Sequence, residues 1–305
     1  MKTILSFQEV HERFGWTLEQ KIDHSLYIID AFLAKYPNCT ISFSGGLDST
    51  VMLSLVRLID KNRKGVFVNT TNEFPDIVKF VNSIDNIETI YPEVNFKTII
   101  ETHGFPLISK KVASLLEFVQ NPTEKNKNVR NTALTGITTK GLQNRNFVIP
   151  KKWQYLKDAP FKITAKCCYY LKKKPLYPYR KNGMFIGTKA TDSRLRMINY
   201  QTTGCINESK NTCTPLSIWT KEDVWNYIRQ NNLPYSEIYN KGEVSTGCAY
   251  CAFGIMFDKN RFKRLQKLEP KRYEIMMNIK NNGVTYKEAI QIIKNEHLYK
   301  TLFDI

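Results

Sequence analysis

The sequence predicts an α/β protein, a doubly wound and mainly parallel sheet with a helical carboxy-terminal part. Three observations predict it. Short β-prone runs alternate with amphipathic helical runs, a glycine pair joins the first strand to the helix behind it, and helical periodicity dominates from about residue 220 onward.

In chain order, residues 17–35 place Leu18, Ile22, Leu26, Ile29 and Leu33 three and four apart, the apolar face of an amphipathic helix. CTISFS (39–44) is short and β-prone, and it runs through Gly-Gly into the apolar helical stretch STVMLSLVRLI (49–59). GVFVNT (65–70) is a second strand, followed through NEFP by the helical DIVKFVNSI. FKTII (96–100) and GMFIGT (183–188) are further strand candidates. Segment 121–150, rich in Asn, Lys and Thr, has no sustained period and is expected to be a long functional loop, a flap over the site. KEDVWNYIRQNN, RFKRLQKL, EPKRYEIMMNIK and YKEAIQIIKNE are expected as helices.

With 305 residues, 42% of them hydrophobic, the chain can bury an ordinary core, which excludes global disorder. No run approaches the ~18–20 consecutive apolar residues of a membrane span, and MKTILSFQEVHERFGW lacks a continuous apolar h-region. The expectation is a cytoplasmic protein without a membrane partner. In a reducing compartment, seven cysteines point to metal binding or catalysis rather than disulfides. The net charge is +17, and residues 101–181 hold 17 Lys/Arg against four Asp/Glu. That excess suits a polyanion, nucleic acid or a phosphate-rich nucleotide, with a merely solvated lysine surface as the alternative.

Ser44-Gly45-Gly46-Leu47-Asp48-Ser49 lies between a strand and a helix, where a doubly wound sheet binds ligands. Glycine lets backbone approach an anion, and the amino end of the next helix offers free N–H groups and a positive dipole. Ser44, Ser49 and Thr50 add hydroxyls, while Asp48 is read as acting through Mg²⁺ or by orienting the loop. A ligand-free tight turn is the alternative. The pattern is neither GxxxxGK[ST] nor GxGxxG, which argues against P-loop NTPases and dinucleotide dehydrogenases.

Cys167-Cys168 and Cys248-Ala-Tyr-Cys251 form two pairs that supply four thiolates. Adjacent cysteines diverge, so they suit a cluster with separate irons better than one zinc; zinc and free thiols remain as alternatives. Lys172, Lys173 and Lys174 follow, either balancing an anionic cluster or forming a solvated face. Cys205 and Cys213 are read as ordinary thiols rather than a third pair, and Cys39 as buried.

SGGLDST resembles the PP-loop of ATP pyrophosphatases, which split ATP between its α and β phosphates. Over roughly residues 38–255 the chain is similar to the phosphoadenosine phosphosulfate (PAPS) reductase family. The likeness continues in NTTNEFPDIVKFV (69–81), in GTKATDSRLR (187–196) with Lys189 where the family has arginine, and in PLSIWTKEDVWNYIRQNNLPYSEIY (215–239). The CC…CxxC arrangement resembles the [4Fe–4S] site of adenosine phosphosulfate (APS) reductases. The resemblance implies an adenine nucleotide alpha hydrolase-like domain over 1–255, with a basic insertion at about 105–165 and a helical extension over 256–305.

The same likeness implies a site. The nucleotide, ATP or APS/PAPS, would lie on Ser42, Phe43, Ser44, Gly45, Gly46, Leu47, Asp48, Ser49 and Thr50, with Asn69, Thr70 and Gly187. Asp48, Lys189, Arg194 and Arg196 are the catalytic candidates, and Lys110 and Lys111 are phosphate contacts or a plain exposed pair. Cys167, Cys168, Cys248 and Cys251 would hold a [4Fe–4S] cluster. Sulfonucleotide reductases attack through a cysteine near the carboxy terminus, whereas no cysteine follows Cys251 here. The chain also resembles the ATP-pyrophosphatase component of DNA phosphorothioation systems and the PP-loop enzymes that thiolate tRNA. The expected function is therefore ATP-dependent adenylation in sulfur transfer onto nucleic acid. Its expected partners are a sulfur-donor protein such as a cysteine desulfurase and a second copy of the chain. A sulfonucleotide reductase and a non-catalytic nucleotide-sensing module are the competing expectations.

Overall fold

A computed structural model describes residues 4–295, which divide into two compact units assembled from separated stretches of chain. The first comprises Met1–Asn69, Glu73–Pro92 and Lys174–Gly247; the second comprises Thr70–Asn72, Glu93–Lys173 and Cys248–Ile305. Residues 256–295 thus share a unit with 93–173. The strands in chain order are β1 Thr40–Ser42, β2 Gly65–Val68, β3 Ile87–Ile90, β4 Leu107–Ile108, β5 Met184–Ile186, β6 Ile206–Asn207, β7 Thr212–Cys213, β8 Ala252–Phe253, β9 Lys280–Asn281 and β10 Val284–Thr285.

The first unit is built, among the described residues, on a six-stranded sheet in the order β3-β2-β1-β5-β7-β6. All neighbours are parallel except β6 and β7. Ile41 of β1 stands opposite Gly65 on one side and Phe185 on the other. Chain order therefore reverses between β1 and β5, and that reversal opens a crevice beyond their carboxyl ends. Ile41, Val66, Phe67, Met184 and Phe185 are buried, as expected of strands covered on both faces. The strand Ile87–Ile90 has no counterpart in the sequence reading: it is short, half-buried and at the sheet edge, so it carries no apolar alternation.

Helix Leu18–Lys35 starts at a reciprocal cap between Thr17 and Gln20. Its most buried positions are Lys21, Ser25, Ile29 and Phe32, a face turned from the expected one, whose Leu18, Ile22, Leu26 and Leu33 are half-buried. The polar members are satisfied. Lys21 Nζ lies 2.8 Å from Asp223 Oδ2, and Ser25 Oγ lies 2.9 Å from Pro215 O and accepts from Trp219 Nε1 at 2.9 Å.

In the second unit β4 pairs in parallel with β8, and β9 with β10 forms a hairpin. Phe105 stacks on the fully buried Tyr286 at 5.2 Å, and Phe161 meets Phe105 edge-on at 5.7 Å. The expected strand 96–100 is instead part of helix Phe96–His103. Asn95 caps that helix by accepting the Thr98 N–H at 2.9 Å, and Phe96, Ile99 and Ile100 fall on one buried helical face. Gly104 ends it at φ +105°, where a Cβ would stand 2.2 Å from the Lys162 carbonyl oxygen, so no other residue fits. The segment 121–150 is likewise not structureless, because it contains helix Lys127–Thr135, closed by Gly136 in the left-handed region. Helices Lys110–Gln120, Arg261–Leu268, Pro270–Met277 and Tyr286–Lys294 complete the unit. The tail from 296 lies outside the described residues.

Candidate functional site

Gly45 turns the chain out of β1 at φ +69°, and a Cβ there would approach Val81 Cγ2 to 2.9 Å and Ile77 Cγ2 to 3.0 Å. Gly46, extended at φ −86°, precedes helix Leu47–Ile59, and no side chain caps it. The helix therefore presents its first amides at the carboxyl end of β1, an anion-binding arrangement. The loop hydroxyls brace the loop itself. Ser49 Oγ accepts the Ser44 N–H at 3.2 Å and lies 2.9 Å from Gly46 O, and Thr50 Oγ1 donates to the same carbonyl at 3.1 Å. Ser49 and Thr50 are buried, which leaves backbone amides and the exposed Ser44 hydroxyl as the donors for an anion.

The loop after β5 closes the other side. A Cβ on Gly187 would stand 3.1 Å from Asp48 O and from Ser49 Cα and N, so the two loops meet there at backbone contact. Two residues on, Lys189 is 6% exposed, and its ammonium pairs with the Asp48 carboxylate and lies 3.3 Å from Asp192 Oδ1. Arg196 pairs with Asp192 in turn, so Asp48, Lys189, Asp192 and Arg196 form one alternating chain of charge. Arg194 is exposed at the first turn of helix Arg194–Thr203.

Ser42 ends β1, while the Phe43 ring is in the core 6.3 Å from that of Phe80, so Phe43 offers a ligand only its backbone. Asn69 follows β2, donating its N–H to Ile90 O at 2.9 Å. Thr70, by contrast, belongs to the second unit, where its buried Oγ1 accepts the Asn72 N–H at 3.2 Å. Three participants went unnoticed in the sequence. Asp192 lies within the GTKATDSRLR motif itself. Tyr239 ends the SEIY segment, and its hydroxyl accepts the Leu47 N–H at 3.1 Å. Thr246 Oγ1, 3.0 Å from that hydroxyl, would meet a Cβ on Gly46 at 2.6 Å, and no sequence signal marks it.

In the second unit the two cysteine pairs converge. A hydrogen bond between Cys167 and Cys168 pushes the Cys167 thiol well up, with burial and the charges of Cys168, Cys251 and Cys248 adding to it. The same bond lowers Cys168 to about 6, against burial and with help from Lys110, Lys172 and Lys173. Burial, then Cys248 and Cys168, push Cys251 up to about 12, opposed by the Phe253 N–H and by Arg261. Arg261 Nη2 also donates to Cys248 O at 2.9 Å.

Among the described residues, no three His, Cys, Asp or Glu side chains close on a single metal ion. The donor set itself is four thiols within electrostatic reach of one another, ringed by Lys110, Lys172, Lys173 and Arg261. That chemistry fits a thiolate-bound group carrying net negative charge. Lys110 stands two residues after Ile108, a β-branched residue held at φ +70°, and begins its helix beside Cys168. The remaining cysteines are buried: Cys39 and Cys205 are pushed up to about 11 by burial, and burial likewise pushes Cys213 well up.

A mainly parallel α/β sheet with a glycine-rich helix start at its switch point is the class of protein that this fold defines. The phosphoadenosine phosphosulfate reductase domain model matches residues 38–106 and 109–253, and the chain belongs to that family. An adenosine 5'-phosphosulfate reductase of Staphylococcus epidermidis is 27% identical over 226 residues, covering 72% of each chain. One from Lysinibacillus sphaericus is 26% identical over 216 residues, covering 68% of this chain and 70% of that protein. An uncharacterized protein of Methanocaldococcus jannaschii is 26% identical over 261 residues, covering 84% of this chain and 51% of the other. The phosphate complex of PAPS reductase from Candida auris has a TM-score of 0.42 at 15% identity, covering 81% of this chain and 98% of that one. Among the described residues no helix is long and apolar enough to cross a membrane.

Proposed function

We propose that the protein is an ATP-dependent adenylating enzyme acting in sulfur transfer onto nucleic acid, with Cys167, Cys168, Cys248 and Cys251 holding a [4Fe–4S] cluster. The observation that carries this reading is the disposition of the seven thiols. Cys39, Cys205 and Cys213 are buried and held protonated, and the other four gather in one place. A reductase that attacks sulfur through a cysteine needs an accessible thiol; Cys39, Cys205 and Cys213 are buried, and in this reading the other four hold the cluster.

In this mechanism the ATP phosphates rest on the amides at the start of helix Leu47–Ile59, with Mg²⁺ entering alongside them to offset their charge. Lys189 is held in place by Asp48 and Asp192, so its charge is preorganised for the α-phosphate rather than recruited at the moment of reaction. Attack by the acceptor oxygen on the α-phosphorus forms one P–O bond and breaks the bridge to the β-phosphate, and pyrophosphate leaves. A sulfur nucleophile from a donor protein then displaces AMP. The cluster, when bound, would supply a sulfur-rich anionic surface, and Lys110, Lys172, Lys173 and Arg261 balance its charge.

The test uses anaerobically purified protein, Mg²⁺ and α-labelled ATP, following AMP and pyrophosphate with and without DNA or RNA. APS and PAPS reduction run in parallel. Pyrophosphate release stimulated by a nucleic acid is the expected result. Sulfite from APS or PAPS without ATP cleavage overturns the reading in favour of sulfonucleotide reduction, the activity that the names of the relatives carry.

A further inference from the structure

The sequence CCYYLKKK sets two tyrosines between the cysteines and the lysines, and nothing in the adenylation chemistry uses them. Tyr169–Lys173 forms one wide π-helical turn, entered through the Tyr169 and Tyr170 N–H groups donating to Lys166 O at 2.9 and 3.0 Å. Such turns are rare and concentrate at functional sites. Tyr169 is 41% exposed, and its ring meets that of Tyr170 edge-on at 5.1 Å. Tyr170 lies parallel to the His103 ring, 3° from coplanar with centroids 5.3 Å apart. Three aromatic rings, from two separated elements, thus form one partly exposed step.

Cations surround that step from three stretches of chain. Lys172 and Lys173 belong to the turn itself, Lys110 opens helix Lys110–Gln120, and Lys162 and Lys166 act on His103. Glu117, 2.9 Å from Lys166 Nζ, is an acidic side chain bearing on the same ring. Lysines alone would be accounted for by an anionic cluster. An exposed aromatic ring among them, backed by two half-buried ones, would not, because a cluster's charge asks for cations and not for a stacking surface. Aromatic faces interleaved with lysines are what a single strand uses: its bases stack on rings while its phosphates track the charge. A duplex offers no unstacked face.

We propose that Tyr169, with Tyr170 and His103 behind it, is a stacking platform for an unpaired base, and that the nucleic acid engaged by this enzyme is single-stranded or locally opened. The inference rests on the nucleic-acid reading above and narrows it. The test measures anisotropy of short labelled oligonucleotides, single-stranded and duplex, at one fixed salt concentration. The wild-type protein binds the single strand more tightly. Tyr169→Leu weakens that binding by about 5- to 150-fold, the loss of one stacked base. It leaves duplex binding unchanged, and Tyr169→Phe, which keeps the ring, retains the wild-type affinity.

Iron content and thermal melting of each variant separate a lost platform from a lost fold. If Tyr169→Leu does not fold, crosslinking of a 5-bromodeoxyuridine strand to wild-type protein decides: attachment at Tyr169 or Tyr170 supports the platform, and attachment elsewhere overturns it. Equal binding of duplex and single strand, or an unaffected Tyr169→Leu, overturns the platform while leaving nucleic acid as the substrate. Absence of binding to every polymer, with ATP still cleaved, overturns both.

Discussion

Replacing Lys189 with methionine keeps most of the side chain's length and apolar stem and removes only its charge. Lys189 is 6% exposed and Asp48 32%, so the pair lies between two regimes. Exposed pairs contribute up to about 1 kcal/mol, and removing one partner of a buried pair costs about 3–5 kcal/mol. Arg196 still pairs with Asp192 in the variant, so only Asp48 loses its counter-charge, and Asp48 sits in the first turn of a helix, where a carboxylate is favoured. The expected destabilisation is about 2–3 kcal/mol. Asp48→Asn leaves Lys189 with Asp192 and should cost about 1 kcal/mol, with a coupling of about 1–2 kcal/mol in the double-mutant cycle. Urea unfolding gives the energies, and titration with a non-hydrolysable ATP analogue gives the affinity, expected to fall at least about tenfold in Lys189→Met. Lys189→Arg should restore both. Single variants that are additive, with stability within about 0.5 kcal/mol of wild type and unchanged affinity, would refute the claim that this pair presets the site.

Gly187→Ala should weaken nucleotide binding, because the added methyl pushes on the backbone of Asp48 and Ser49. Its cost in stability should be about 1–3 kcal/mol, and a variant with wild-type affinity for the ATP analogue counts against the loop contact. Cys248→Ser and Cys251→Ser should each lower bound iron in anaerobically reconstituted protein and remove its visible absorption, whereas Cys213→Ser should do neither; equal iron in all three would remove the cluster assignment. Burial opposes ionisation of Asp223, yet Lys21 and Thr220 hold its carboxyl below the ordinary value. The unfolded chain therefore takes up the proton first as pH falls. The stability from this pair is whole above about pH 4 and is lost on going lower toward the folded pKa. Asp223→Asn should flatten that part of the acid-unfolding curve, and curves of identical slope would exclude the pair as its source.

The sheet was legible where strands are central and the glycine turn marks the switch, as with Thr40–Ser42 and Gly65–Val68. Ile87–Ile90 was not, because an edge strand buries too little for a pattern to show. FKTII satisfies both strand and helix expectations over its few residues, and the deciding element was the polar Asn95 just ahead of it. The buried face of helix Leu18–Lys35 was misplaced because a lysine stands at its centre, and only the distant Asp223 makes that tolerable. At the site, the loop and Lys189 were readable as residue types in a fixed local order. Tyr239 and Thr246 were not, since their contacts to Leu47 and Gly46 span nearly two hundred positions. The lysine-rich stretch announced its charge but not its company: that Lys110 would come to lie beside Cys168 depends on the whole of the second unit.

The Tyr239 hydroxyl on the Leu47 amide changes what an affinity for this loop measures. A phosphate oxygen arriving at that amide trades places with the phenol rather than filling open space, so the observed binding constant is a difference between two acceptors competing for one donor. The tyrosine then behaves as a built-in competitor whose effective concentration is set by the fold and cannot be diluted away. Weak anions lose to it, and only a ligand that satisfies several amides at once displaces it. On the reading proposed above, a loop guarded in this manner would discriminate by valency, favouring polyphosphate chains over single phosphates.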